Sequence, residues 1–281
     1  MRQGTVAIIG VGLIGGSIGL ALRGRVRADR VVGIGRDRAK LEEARSLGAI
    51  DSWTTDTAEG VAEAEAAVVC TPVTRIVEDI LLAAGRGPDS ILVTDAGSTK
   101  ARIVREVEAD PRGCATFVGA HPIAGSERQG VAHARADLFE GRSCVLTPTP
   151  ATPPDRLARA REFWSGLGCR VFEVAPDVHD DRLALTSHLP HAVASALAAC
   201  VPPEFFPLAA GAYRDGTRVA GADAALWAGI FRENRGPLLE ALAGFDAQLD
   251  RFRAALEADS AEDLIRWWDL GREHRLRFPP S

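Results

Sequence analysis

Short apolar runs separated by stretches of helical spacing organise the first half of the chain. The runs at 5–9, 31–34, 67–71, 91–95, 116–119, 143–147 and 170–174 read as strands. Most are apolar at nearly every position, the pattern of strands covered on both faces. Helical patterns lie at 13–23, 37–47, 74–84, 99–108 and 155–166. Strands alternating with helices predict βαβ units and an α/β fold with a doubly wound, mainly parallel sheet. The Thr- and Pro-rich stretch Thr147–Pro154 resembles a linker, but a helix and the strand 170–174 follow it and are expected to belong to the sheet. The composition changes after Pro176, and the domain boundary is placed there.

From 177 onward the pattern is helical only. Arg182–Val201 is apolar enough for a buried helix, and Leu238, Leu242, Phe245, Leu249, Phe252 and Leu256 recur at alternating steps of four and three, as in a coiled-coil seam. Ser260 with Asp263 resembles a capping box opening a last helix that carries Trp267 and Trp268. Long apolar faces with no sheet to cover them predict pairing with a second copy, a homodimer formed through this region.

The first strand runs into a turn with Gly10, Gly12 and Gly15, and a helix follows at once. A first glycine permits the turn, a second lets backbone N–H groups approach phosphate, and a third lets helix and strand pack closely. In this strand–turn–helix context the spacing predicts a dinucleotide site. The expected contacts are Gly10, Gly12, Leu13, Ile14 and Gly15, with Thr71 and Pro72 after the run at 67–71. An acidic residue about 20 positions beyond the turn normally holds the ribose hydroxyls of NAD. Here that position is Gly35, followed by Arg36, which leaves room and charge for a 2′-phosphate. NADP is favoured over NAD, with Asp37 near enough to argue the other way.

Composition narrows the classes. The chain has 281 residues, 46% hydrophobic and 25% charged, with a net charge of −5 and no basic stripe, so no nucleic-acid partner is expected. No apolar stretch nears the ~20 residues needed to cross a bilayer, so no membrane partner is expected either. The first strand begins close to Met1, so no targeting leader is expected. Cys70, Cys114, Cys144, Cys169 and Cys200 are odd in number and scattered, which suits buried thiols in a reducing cytoplasm.

Three polar runs remain: Asp95–Lys100, Gly119–Glu127 and Ser187–His191. The first two follow apolar strands, at the carboxyl ends where open α/β sheets hold ligands, and the third opens the helical region. With the glycine turn and the later Arg214–Arg218, Leu226-Trp227 and Asn234, these runs resemble the prephenate/arogenate dehydrogenase family of tyrosine biosynthesis. The likeness extends from about residue 5 to beyond 250. It implies a Rossmann-like dinucleotide-binding domain at 1–176 and a helical substrate and dimerisation domain at 177–281.

The family reaction is oxidative decarboxylation of a cyclohexadienol, driven by aromatisation. By resemblance, His121 accepts the hydrogen bond of the ring hydroxyl, Ser98 sits near that histidine, and His188 and His191 contact polar groups of the substrate. Arg218 would pair with a substrate carboxylate, and Ser126, Glu127 and Asp180 would line or gate the pocket. The substrate is prephenate or arogenate, with prephenate favoured, and no appended regulatory module is expected.

Other readings weigh against each residue. A histidine before proline is commonly structural, and His188, His191, His179 and Asp180 are a conceivable metal set. Their spacing is not that of a helical zinc pair and no cysteine is near, so no metal is expected. Lys100 reads as an ordinary helix-start residue, Trp227 as core or dimer interface, and His133 and His274 as surface or packing residues. Two rival classes are a β-hydroxyacid or imine reductase, which would want a lysine in the helical half, and a non-catalytic dinucleotide sensor. No lysine follows Lys100.

Overall fold

The computed structural model describes residues 3–26, 28–124 and 128–278. The chain opens with β1 (Gln3–Ile9), α1 (Leu13–Ala21) and a widened helical turn (Leu22–Val26). It continues through β2 (Ala28–Ile34), α2 (Arg38–Ser46), β3 (Ser52–Thr54) and α3 (Thr57–Val61). Next come β4 (Ala66–Val69), α4 (Ile76–Arg86), β5 (Leu92–Asp95), α5 (Ala101–Glu108), α6 (Pro111–Thr116) and β6 (Phe117–Val118). These six strands form one parallel sheet in the order β3-β2-β1-β4-β5-β6. The order reverses between β1 and β4, and open sheets of this topology bind nucleotides at that reversal.

Alternate residues of the strands feed two cores, one on each face. Val6 and Ile8 join Ile18, Leu22, Phe163 and Trp164 on one side. Ala7 and Ile9 join Ile76, Ile80, Ile103 and Val107 on the other. Burial on both faces is why these strands read as unbroken apolar runs.

Only Gly119 separates β6 from β7 (Ala120–Pro122), which leaves the main sheet and begins a second one. There β7 pairs antiparallel with β8 (Ser143–Leu146), and after α7 (Pro154–Gly166) β9 (Arg170–Glu173) adds parallel to β8. The runs at 143–147 and 170–174 therefore do not extend the main sheet as the apolar pattern suggested. They form a three-stranded sheet of their own, because β7 turns away after the two-residue β6. The edge strand β3 and the short helices α3 and α6 carry too few apolar positions to have stood out.

Helices follow β9: α8 (Pro176–Leu183), a widened turn at Ala184–His188, α9 (Leu189–Ala199), α10 (Gly211–Thr217) and α11 (Ala224–Glu233). Within this stretch most of Arg182–Val201 keeps solvent contact, with Ala184, His188 and Ala194 buried. Arg102 on α5 forms an ion pair with Glu233 at the end of α11 and donates to the Val73 carbonyl at 3.0 Å. Residues 1–234 make one compact unit, so the expected boundary at 176 falls inside it.

The second unit, 235–281, holds α12 (Arg235–Glu257) and α13 (Ala261–Arg277). Ser260 caps α13, accepting the Asp263 N–H at 3.3 Å and donating to its carboxylate at 2.7 Å. Phe252 packs on Trp267 with ring centroids 4.7 Å apart. Elsewhere in the seam Leu238 is buried and Leu242 and Phe245 half-buried, whereas Leu249 and Leu256 are exposed, as are Ile265, Trp268 and Leu276 on α13.

The glycine turn shows why two of its positions admit no side chain. Gly10 has φ +93°, and a Cβ there would lie 2.9 Å from the Cys70 carbonyl. A Cβ on Gly15 would collide with the Gly10 carbonyl oxygen and sit 2.9 Å from Ile8 Cγ2. Gly15→Ala is therefore expected to destabilise the protein by about 1–3 kcal/mol, as overpacking does. Dinucleotide affinity should fall with it, since the turn must open. Thermal unfolding and a nucleotide titration of the variant check both.

Candidate active site

The anion end of the crevice is built from α1. This helix has no side-chain cap and no acidic residue in its first turn, whereas α2 and α6 are capped by Asp37 and Asp110. Its N–H groups and positive dipole end are therefore left for an incoming anion. Nothing lies within 4 Å of where a Gly12 side chain would project. Thr71 Cγ2 would lie 3.1 Å from a Cβ on Gly10, so the turn carrying Thr71 and Pro72 runs beside the glycine turn, and Thr71 donates its hydroxyl to the buried Asp79 at 2.6 Å, which holds it in place. Leu13 and Ile14 sit half-buried on the first turn of α1. These features fit a dinucleotide pyrophosphate. Further along the crevice Arg36 is exposed, while Asp37 spends its carboxylate on the Ala39 and Lys40 N–H groups at 3.0 and 3.3 Å.

The reactive end is built around Ala120 and His121. Asp95, at the end of β5, accepts the Ala120 N–H at 2.9 Å and the Gly97 N–H at 2.9 Å. Lys100 pairs with Asp95 and donates to the Ala120 carbonyl at 2.9 Å. Both side chains are fully buried. Lys100 is thus no ordinary helix-start residue. It and Asp95 hold the C=O and the N–H of Ala120, the residue before His121, a role visible only once the strands are assembled.

His121 projects from β7 with Nδ1 2.9 Å from His179 Nε2, and His179 Nδ1 lies 2.7 Å from Asp180 Oδ1. Asp180 also accepts the Lys100 N–H at 2.8 Å and the Ala101 N–H at 2.9 Å, at the start of α5. Asp180 was expected to line the pocket beside an arginine. It is instead buried, its oxygens committed to His179 and to backbone, because α8 packs on the start of α5. Asn234 donates to the Asp180 carbonyl at 2.8 Å and lies 3.0 Å from His188 Nδ1. His191 donates from Nδ1 to the Ser187 carbonyl at 2.8 Å and stacks on Trp227, with centroids 3.6 Å apart. Trp227 thus belongs to the histidine cluster.

Ser98 lies partly buried in the Asp95–Lys100 loop, and among the described residues it has no hydrogen bond to His121. Arg218 is exposed on the turn after α10, close enough to disfavour a proton on His191. Ser126 and Glu127 lie outside the described residues. Among the described residues, no cluster of three or more His, Cys, Asp or Glu side chains is arranged to hold a metal. His179, Asn234 and Asp95 were not singled out from sequence for any site role beyond the rejected metal set. The roles of His179 and Asn234 rest on contacts 46 to 58 positions apart, and that of Asp95 on its bond to Ala120, 25 positions away, which no local pattern encodes.

Sheet order, glycine turn and a cluster of imidazoles at the carboxyl edge define a dinucleotide-dependent dehydrogenase. The comparisons agree. Residues 18–173 match the family model for the prephenate dehydrogenase nucleotide-binding domain, and residues 175–270 the model for its dimerization domain. A prephenate dehydrogenase of Bacillus subtilis is 32% identical over 98% of this chain and 76% of its own length. A cyclohexadienyl dehydrogenase of Zymomonas mobilis is 31% identical over 96% of this chain and 94% of its own. The crystal structure of A. aeolicus prephenate dehydrogenase with hydroxyphenyl propionate and NAD+ superposes with a TM-score of 0.90. It is 30% identical, and the match covers 98% of both chains. The chain belongs to the prephenate dehydrogenase family. It is an NAD(P)-dependent dehydrogenase.

Burial pushes the imidazoles toward neutrality. His121 is held well below the ordinary histidine value by burial, then by His179, Lys100 and His188. Burial outweighs the Asp180 carboxylate at His179, takes His188 from 6.5 to about 4, and lowers His191 with help from Arg218. In the unfolded chain these rings would titrate near 6.5. As pH falls below that value the unfolded state takes up protons that the folded site refuses, so stability is full above about 6.5 and declines toward acid. The urea midpoint is expected to fall between about pH 7 and pH 5, and His188→Asn should flatten part of that fall. Denaturation at fixed ionic strength measures both.

Proposed function

We propose that the chain catalyses the oxidative decarboxylation of prephenate to 4-hydroxyphenylpyruvate in L-tyrosine biosynthesis, with NADP preferred to NAD. The observation that carries this reading is His121, placed just past the carboxyl end of β6 and bonded to His179, with burial holding its proton affinity low, while the glycine turn follows the carboxyl end of β1 in the same parallel sheet as β6. A neutral imidazole can accept the hydrogen bond of the ring hydroxyl and draw off its proton as the carbonyl forms. The bound nicotinamide would supply the hydride acceptor. His188 and His191 would orient the ring, and Arg218 would pair with a substrate carboxylate. Ser98, Ser126 and Glu127 are proposed to line the same pocket. The names of the relatives support this substrate class, and arogenate is the alternative within it.

Preference for NADP is supported by the absence of a side chain at Gly35, the exposed Arg36, and an Asp37 already used to cap α2. A working homodimer formed through the helical region is supported by the dimerization-domain match and by the exposed Leu249, Leu256, Ile265 and Trp268. We assign the functional boundary to residue 176, where the two family models meet between 173 and 175 to within a few residues. A cytoplasmic setting is supported by five cysteines that remain unpaired.

A two-by-two assay of prephenate or arogenate against NADP or NAD tests the reading, and no turnover in any arm would end it. His121→Asn is expected to lower turnover by about 10²–10⁴-fold, the usual worth of a general base, with dinucleotide binding nearly unchanged. Arg36→Ala is expected to raise the KM for NADP by roughly tenfold, one lost charge-assisted phosphate contact, and to leave the KM for NAD alone.

A further inference from the structure

Imidazole is the one side chain whose two ring nitrogens exchange roles with the position of a single proton. In this pocket the partners of those nitrogens are groups whose own roles are fixed. We propose that Asp180 and Asn234 lock His121 and His188 in opposite tautomers, so that the pocket presents an acceptor at His121 Nε2 and a donor at His188 Nε2. His179 and Asn234 are then positioning residues, acting through the two histidines. The chemical use of the acceptor rests on the function proposed above, whereas the tautomers follow from the contacts of this chain alone.

The first chain of contacts starts from backbone. The N–H groups of Lys100 and Ala101 can only donate, so both oxygens of Asp180 accept, at 2.8 and 2.9 Å. His179 Nδ1, 2.7 Å from Asp180 Oδ1, must then carry the proton of that ring. A neutral His179 keeps its lone pair on Nε2, which faces His121 Nδ1 at 2.9 Å. His121 Nδ1 is therefore the donor, and the lone pair of a neutral His121 is left on Nε2. That is the less populated form of a free histidine side chain, and it needs the partner to persist.

The second chain starts from the Asp180 carbonyl oxygen, which can only accept. The Asn234 atom 2.8 Å away must be its NH2 group, which fixes the amide against a flip. The second hydrogen of that group points to His188 Nδ1 at 3.0 Å. His188 accepts there, and the proton of the neutral ring sits on Nε2. One residue thus writes both tautomers, through its carboxylate for His121 and through its carbonyl for His188. Asn234 and His188 are both nearly fully buried, so water does not compete for these bonds. A pocket polarised in this way takes a substrate group that donates at one ring and an oxygen that accepts at the other. A ring hydroxyl with a nearby carboxylate or carbonyl oxygen has that character.

The test is the long-range proton–nitrogen correlation spectrum of the full-length, ligand-free protein labelled with 15N-histidine, recorded near neutral pH. The chain has six histidines, so single substitutions assign the signals. The expected spectrum shows His121 and His179 protonated at Nδ1 and His188 protonated at Nε2. His179→Gln should keep His121 in the Nδ1–H form, because the amide oxygen still accepts, and His179→Phe should return it to the Nε2–H form. Asn234→Leu should release His188 to a mixture. A wild-type His121 protonated at Nε2 or at both nitrogens, or a His188 protonated at Nδ1, overturns the proposal without need of any variant. In the presence of prephenate and dinucleotide, His179→Phe should lose at least tenfold in kcat with the dinucleotide KM unchanged, and His179→Gln should recover part of it. An equal loss in both variants overturns the positioning role. The expected spectrum from a protein that oxidises neither cyclohexadienol supports the tautomers and overturns the functional reading instead.

Discussion

The fully buried pair of Lys100 and Asp95, closed around the Ala120 peptide, is the constraint on which the rest of the site depends. Burying two charges costs several kcal/mol per ion, and their attraction offsets this only when the remaining hydrogen-bonding capacity is filled. Here much of it is met by the N–H of Gly97 and both polar groups of Ala120. Removing one partner of such a pair costs about 3–5 kcal/mol, because the other charge is left uncompensated. The pair therefore contributes position more than stability. It ties the end of β5 to β7 where the chain leaves one sheet for the other, and so sets where His121 stands. The same ammonium lowers the proton affinity of His121 and His179.

Around that clamp the fold gathers groups from distant parts of the chain. The parallel sheet delivers Gly10, Thr71, Asp95 and the Ala120 peptide to one edge, because every strand ends there. The helices after β9 bring His179, His188, His191, Trp227 and Asn234 over the start of α5, secured by Asp180 on the backbone of Lys100 and Ala101 and by the Arg102–Glu233 pair. Both joints land on the first turns of α5. The nucleotide turn and the histidine cluster are thus held by separate bonds to one framework.

Much of this was legible from residue order alone, where the signal is local. The strand–turn–helix around Gly10, Gly12 and Gly15 needs only neighbours in sequence, and Gly15 packs against Gly10 as the spacing implies. Five of the six main strands stand out because both faces are buried, while Ser52–Thr54, an edge strand with three residues half-exposed, does not. What stayed hidden depends on long-range contact. Lys100 looks like any basic residue at a helix start until Asp95 and Ala120 enclose it. Asp180 looks like a pocket carboxylate until α8 packs on α5, and Asn234 like a helix-end residue until its amide meets His188. The split into two sheets was equally unreadable, since it turns on the direction of the chain at Gly119.

The widened turn at Ala184–His188 has a consequence for how this region can vary. It adds a residue to one helical revolution between α8 and α9, and so sets the rotation of His191 on α9 relative to His179 and Asp180 on α8. Each residue of a helix accounts for about 100° of rotation. Loss of one residue here would rotate α9, and His191 with it, relative to α8, although no reactive group had been altered. The residue count of this one revolution is consequently a constraint on the crevice in its own right, beside the side chain of His188.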